Sequence, residues 1–287
     1  MQQPAASQEV ALALSSTFRR PIAHRGLHDA AHGCLENSRS AFLAAIAAGV
    51  GIECDVQSAR DGTPMVFHDA TLERMTGRAG AIGDMTTDAL ARMRLVGPGG
   101  AQGDAIEPLA DLLECVAGRV PVLVEIKAHW SRKTPDGYID RIADVIGAAV
   151  GPIAVKSFHP DVVDALAARL PAAHVGIVSM DFATLASNDT HAGHPPTALR
   201  SALTALTATA CKPGFVSFRV HDLPSAGVRS LSHDAATPLF AWTVRSDDDL
   251  THALRNNAIP VFEGLAPEVV GARMADFGIT QDSEAED

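Results

Sequence analysis

Nine short runs rich in Val, Ile and Phe constrain this chain more than any other feature. They lie at 21–24, 51–56, 65–67, 120–126, 153–158, 174–179, 214–220, 238–244 and 258–262. Stretches with helical periodicity separate most of them, at 38–48, 107–117, 136–150, 160–170, 197–208, 222–232, 246–256 and 266–276. Strands this apolar are buried on both faces, and strands that alternate with helices imply a parallel sheet covered by those helices. The helix starts carry matching punctuation. Asn37 or Ser38 can cap the first, His159-Pro160-Asp161 opens another, and Ser246-Asp247-Asp248 sets acid at a positive helix end.

If M-V-F-H-D at 65–69 is a strand extension or hairpin after the second strand, eight strand–helix units remain. Eight parallel strands close into a barrel, and about 250 residues is an ordinary length for such a domain. The expectation is a single (β/α)8 TIM-barrel domain over 1–287, with its core at 20–276. The segment from about 70 to 106 breaks the rhythm and reads as a small insertion after the second strand, and 1–19 and 277–287 read as tails outside the barrel.

Composition narrows the function classes. A net charge of −11 argues against nucleic acid, which demands a basic footprint, but not against an anionic small molecule met by a few local cations. Cys34, Cys54, Cys115 and Cys211 show no C-x-x-C spacing, so free thiols in a reducing compartment are expected rather than a disulfide framework or a zinc ribbon. No apolar run approaches the roughly 18 residues of a membrane span. The first twenty residues lack the early charge and apolar core of a signal peptide. The chain reads as cytoplasmic.

Charged residues inside apolar strands are costly unless paired or ligating. Here they gather where strands end, the active-site face of such a barrel. His24 and Arg25 end the first strand in P-I-A-H-R-G at 21–26, and His68 follows M-V-F. Glu53 and Asp55 alternate in G-I-E-C-D-V-Q at 51–57, so they share one face while Cys54 faces away. Glu125 and Lys127 alternate in V-L-V-E-I-K, Lys156 and Ser157 lie in the fourth barrel strand, and Trp242 lies in A-W-T-V of the seventh. Imidazoles exchange protons near neutral pH, paired carboxylates hold a hard cation, and a guanidinium suits phosphate oxygens. The combination suits cleavage of a phosphate ester.

From about residue 20 to 265 the chain resembles the glycerophosphodiester phosphodiesterase family. The motifs that carry the likeness are H-R-G, E-N-S at 36–38, E-C-D, H-D, L-x-R-x-T-G within 72–77, V-E-I-K at 124–127 and A-W-T-V at 241–244. The resemblance implies a TIM barrel with an insertion after the second strand, and divalent-cation-dependent hydrolysis of glycerophosphodiesters to glycerol 3-phosphate and an alcohol. It makes His24 and His68 the acid–base pair and Glu53, Asp55 and Glu125 the metal ligands, and three carboxylates without sulfur favour Mg2+ or Ca2+ over zinc. Arg25 and Lys127 become phosphate contacts, and Trp242 the wall against the glycerol or the leaving group. Glu36 is a candidate orienting partner near His24. Where family members commonly end the eighth strand with Thr-Asp, this chain has V-F-E-G at 261–264, so Glu263 is the candidate polar partner there. The alternatives are a lysophospholipase D-like enzyme or lyase that forms a cyclic phosphate, and a silent phosphodiester-binding protein. His28, His32 and His129 are candidate substrate contacts. His191 and His194 have ligand-like spacing in a Gly/Pro-rich loop and read as solvated.

Overall fold

The computed structural model describes residues 16–130, 133–171, 174–184, 195–204, 206–231 and 237–279. Its strands are β1 (Ile22–Ala23), β2 (Gly51–Ser58), β3 (Pro64–Val66), β4 (Arg94–Val96), β5 (Gln102–Ala105) and β6 (Val122–Ile126), then β7 (Ile153–Ser157), β8 (Val175–Ser179), β9 (Phe215–Arg219), β10 (Leu239–Val244) and β11 (Ile259–Phe262). Eight of these, β1, β2 and β6 to β11, pair in parallel. Ile22 registers with both Gly51 and Val261, so β1 pairs with β2 and β11 and the barrel closes without an edge. β3 pairs antiparallel with β2 outside that ring, as the hairpin expected of M-V-F-H-D.

Alternation along each strand splits the apolar content in two. Outward residues meet the surrounding helices. The helix Leu109–Val116 buries Leu109, Leu112, Leu113 and Val116, the i, i+3, i+4, i+7 stripe; each such side chain contributes about 1.5–3 kcal/mol when fully buried. Inward positions fill the barrel, and two of them must be small. A Cβ on Gly51 would lie 2.4 Å from Ile22 Cδ1, and one on Gly176 would lie 2.3 Å from the Phe215 ring. Above this packed floor the inward residues become polar: Glu53 and Asp55 on β2, Glu125 on β6, Lys156 on β7.

Helix boundaries follow local chemistry. The Ser38 hydroxyl accepts from the Ala41 amide to start the helix Arg39–Ala47, and Ser246 does the same from Asp249 for the helix Asp247–Arg255. Pro160 begins the helix Pro160–Ala167. The helix expected at 222–232 is shorter, Ala226–Leu231, because Val220–Asp222 forms a 3-10 turn and Pro224 follows.

The insertion carries the antiparallel pair β4–β5 and short helical turns. It has its own cluster of Leu72, Met75, Ile82, Leu90, Leu95 and Ile106 packed on Met65 and Phe67 of the hairpin, so it is a small packed unit. The four cysteines are free. Among the described residues no helix is long and apolar enough to cross a membrane.

Candidate active site

The polar cluster begins with an unusual turn. Arg25 and Gly26 leave β1 in the left-handed region, at φ 59° and 79°. Gly26 is required there, since a Cβ would lie 2.8 Å from Ala41 Cβ. For Arg25 the conformation costs about 1–2 kcal/mol. Its amide in return donates to Glu53 Oε2 at 3.2 Å, and its carbonyl accepts from the Asn37 amide at 2.8 Å. The guanidinium donates to Glu36 at 2.7 Å, with Nε 3.3 Å from Asp55 Oδ2.

Below this turn lie the three carboxylates. Glu53, Asp55 and Glu125 are buried, and one oxygen of each lies within 4.8 Å of the others. Register explains the meeting: Asp55 sits beside Glu125, and Glu125 beside Lys156, across adjacent strands. Lys156 Nζ lies 3.0 Å from Glu53 Oε1 and 3.4 Å from Glu125 Oε2. Lys127 Nζ lies 2.9 Å from Asp55 Oδ1 and donates to Glu125 Oε1 at 2.5 Å. Burial favours the neutral forms, yet the opposed charges win. Lys127 and Lys156 are held above the ordinary lysine value, Asp55 well below the usual carboxylate range and Glu125 below it. Both ends of Asn37 grip Asp55: Nδ2 donates to Oδ2 at 2.9 Å, and the Asp55 amide donates to Oδ1 at 3.1 Å.

Each imidazole leans on a carboxylate through Nδ1. His24 Nδ1 donates to Glu263 at 3.0 Å, leaving Nε2 turned toward Glu53 at 4.0 Å. The hydrogen bond from His24, helped against burial by Arg245 at 2.9 Å, lowers the Glu263 carboxyl to about 2. His68 Nδ1 donates to Asp69 at 2.7 Å, and Gln57 Nε2 donates to the His68 carbonyl at 2.7 Å. Arg74, from the insertion, locks this side by donating to Asp69 and to Glu36. Burial raises Glu36, but Arg74 and Arg25 outweigh it and lower the carboxyl to about 2.

Trp242 stands on the rim, 5.6 Å edge-to-face from Phe158, with its indole Nε1 buried and lacking a hydrogen-bond partner.

The structure brings His24, Arg25, Glu36, Glu53, Asp55, Glu125, Lys127 and Glu263 into one connected cluster, which His68 joins through Asp69 and Arg74, with different partners from those expected in places. Glu36 was expected near His24; it pairs instead with Arg25 and Arg74, and Glu263 is the carboxylate on His24. Asn37, read as a possible cap, takes φ 53° and holds Asp55, while Ser38 does the capping. His28 is partly buried with Nε2 unbonded, and burial lowers its pKa. His32 is exposed and pairs with Asp29 at 2.6 Å. His129 lines a cavity beside Lys127. His191 and His194 lie outside the described residues. Lys156 lies in a strand singled out in the sequence, and Asp69 and Arg74 fall within the H-D and L-x-R-x-T-G motifs, but none of the three had a role assigned, and Arg245 was missed. A lysine directly after the apolar run Ile153-Ala154-Val155, inside a strand, was the signal available for Lys156.

Residues 24–262 match the glycerophosphoryl diester phosphodiesterase family. The chain is 28% identical over 119 residues to human glycerophosphodiester phosphodiesterase 1, a match covering 39% of this chain and 35% of that protein. To a glycerophosphodiester phosphodiesterase of Bacillus altitudinis it is 28% identical over 175 residues, 56% of this chain and 66% of that one. The matched segments thus span about a third to two thirds of these relatives. The fold resembles that of an Oleispira antarctica phosphodiesterase solved with its product sn-glycerol-3-phosphate, at TM-score 0.68 and 19% identity over 92% of this chain and 99% of that one.

Proposed function

Because the chain belongs to the glycerophosphoryl diester phosphodiesterase family, we propose that it hydrolyses glycerophosphodiesters to glycerol 3-phosphate and an alcohol, using a divalent cation and two histidines. The observation that carries the reading is the three buried carboxylates with their oxygens within 4.8 Å of one another, flanked by two imidazoles each anchored through Nδ1.

The donor set fits a hard cation: three carboxylates, no thiolate and no imidazole. Glu53, Asp55 and Glu125 would hold Mg2+ or Ca2+, which supplies charge neutralisation for the phosphate oxygens. Arg25 borders Asp55 Oδ2 and Lys127 borders Asp55 Oδ1, and both add positive charge for the phosphoryl group. A phosphodiester has a poor alkoxide leaving group, so its cleavage needs a proton donor as well as a base.

Anchoring through Nδ1 leaves Nε2 of each histidine as the proton-exchanging atom. One imidazole takes the proton of the attacking nucleophile while the other delivers one to the departing oxygen. Glu263 and Asp69 fix the rings and stabilise each imidazolium as it forms, the role a carboxylate plays behind a catalytic histidine. Asn37 holds Asp55 against its pull toward the two cations. Trp242 walls the substrate at the rim.

The test is release of glycerol 3-phosphate from glycerophosphodiesters by metal-stripped protein, with and without Mg2+ or Ca2+, followed by a coupled assay. Activity restored by the cation in the wild type, and absent from Asp55→Asn, supports the reading. Full activity after stripping contradicts it.

A further inference from the structure

Glu53, Asp55 and Glu125 carry six carboxylate oxygens, and each of the six already faces a donor or a cation. Lys156 Nζ lies 3.0 Å from Glu53 Oε1 and 3.4 Å from Glu125 Oε2. Lys127 Nζ lies 2.5 Å from Glu125 Oε1 and 2.9 Å from Asp55 Oδ1. The Arg25 amide donates to Glu53 Oε2 at 3.2 Å, and Asn37 Nδ2 donates to Asp55 Oδ2 at 2.9 Å. The two oxygens of every carboxylate thus meet different partners. With the Arg25 guanidinium 3.3 Å from Asp55, three negative charges also face three positive ones.

The two lysines are not equivalent. Lys127 follows the end of β6 with its side chain 14% exposed, so it can turn toward a phosphoryl oxygen. Lys156 lies inside β7, beside Glu125 in register, with 2% of its side chain exposed. A buried ammonium has no water to turn to, so it stays on its carboxylates. Its hold on Glu53 Oε1 and Glu125 Oε2 is fixed by the barrel itself. Hard cations differ in what such a cluster gives them. Ca2+ gathers about six to eight oxygens, often with both oxygens of a carboxylate, and its affinity grows with the charge of the ligand set. Mg2+ is smaller, keeps several of its waters, and needs only a few carboxylate oxygens beside those of a substrate phosphate.

We propose that Lys156 is the cation-selecting residue of this site: by keeping one oxygen of Glu53 and one of Glu125, it withholds the paired oxygens that Ca2+ draws on and leaves single oxygens that suit Mg2+. The proposal deepens the diester-hydrolase reading and rests on its assignment of Glu53, Asp55 and Glu125 as the cation ligands.

The full chain, stripped of metal with a chelator, is titrated calorimetrically with Mg2+ and with Ca2+ as wild type, Lys156→Met, Lys156→Gln and Asp55→Asn. Release of glycerol 3-phosphate is measured with each cation in parallel. The wild type should bind Mg2+ at least as tightly as Ca2+, and both Lys156 variants should move the ratio of the two dissociation constants about tenfold or more toward Ca2+. Loss of a positive charge by itself strengthens both divalent cations alike, so the ratio reads the freed oxygens. A wild type that binds Ca2+ about tenfold more tightly than Mg2+ overturns the proposal without recourse to a variant. An unmoved ratio in a folded Lys156 variant does the same. Undiminished binding of both cations by Asp55→Asn refutes the ligand assignment and the proposal with it. Mg2+-selective, Lys156-dependent binding without diester cleavage supports the proposal and refutes the hydrolase reading. Cation-dependent cleavage with a ratio unmoved in both Lys156 variants refutes the proposal and leaves the hydrolase reading intact.

Discussion

Lys156→Met removes a charge from the centre of the site while keeping the unbranched side chain up to the lysine Cε. In the wild type the ammonium lies 3.0 Å from Glu53 and 3.4 Å from Glu125, all three residues being buried. Each contact carries about 5 kcal/mol of attraction at an effective dielectric near 20, much of it offset by desolvation of the lysine. Breaking a buried pair by removing one partner costs about 3–5 kcal/mol net, because the remaining charges stay buried and uncompensated. For 287 residues the unfolding entropy is about 0.6 kcal/mol/K, so the metal-stripped variant should melt about 5–8 °C below the wild type. A divalent cation meets the same carboxylates, so saturating Ca2+ or Mg2+ should raise Tm more in the variant than in the wild type. Calorimetry in chelator and in excess cation measures both shifts. A loss under about 1 °C in chelator, or a cation-induced rise no larger than that of the wild type, refutes the argument that Lys156 balances the acidic cluster.

Three further outcomes follow from the same geometry. His24→Asn and His68→Asn should each lower kcat by about a hundredfold or more while circular dichroism stays native; near wild-type turnover by either removes that residue from catalysis. Glu36 ionises at about 2 in the fold against 4.5 ordinarily, so its contribution of about 3 kcal/mol is complete above pH 4.5 and disappears as pH falls toward 2. Denaturation across that window should show a stability slope shallower by about one proton in Glu36→Gln, and an unchanged slope contradicts the Arg25–Glu36–Arg74 link. Asn37→Ala should lower stability by about 1–3 kcal/mol through the groups left unpaired on Asp55, with Asn37→Gly relieving φ without restoring the bonds; a glycine variant as stable as wild type shows that the bonds to Asp55 carry nothing.

The barrel was legible because its signal is redundant: eight apolar strands alternating with helices leave few other architectures, and the hairpin after β2 was visible as a short extra strand ending in His68. The catalytic face was legible because Glu53, Asp55 and Glu125 break apolar runs at alternating positions, where burial without partners is too costly to be accidental. Partners across elements were less legible. Glu36 lies next to Asn37 in sequence, yet one grips Arg25 and Arg74 and the other Asp55. That division depends on the left-handed turns at Arg25 and Asn37, which no periodicity announces. Arg74 reaches the site from an insertion whose own core fixes its position, so its role exists only after that unit has folded. Lys156 looked like one polar residue in a strand until register set it beside Glu125.

The most direct test of the central claim is hydrolysis of a glycerophosphodiester in 18O-labelled water with Mg2+ or Ca2+, followed by phosphorus NMR and mass spectrometry. Water attacking phosphorus at this site predicts glycerol 3-phosphate carrying one 18O on its phosphate and an unlabelled alcohol. An intact diester, label in the alcohol, or a cyclic phosphate as the end product would contradict the account.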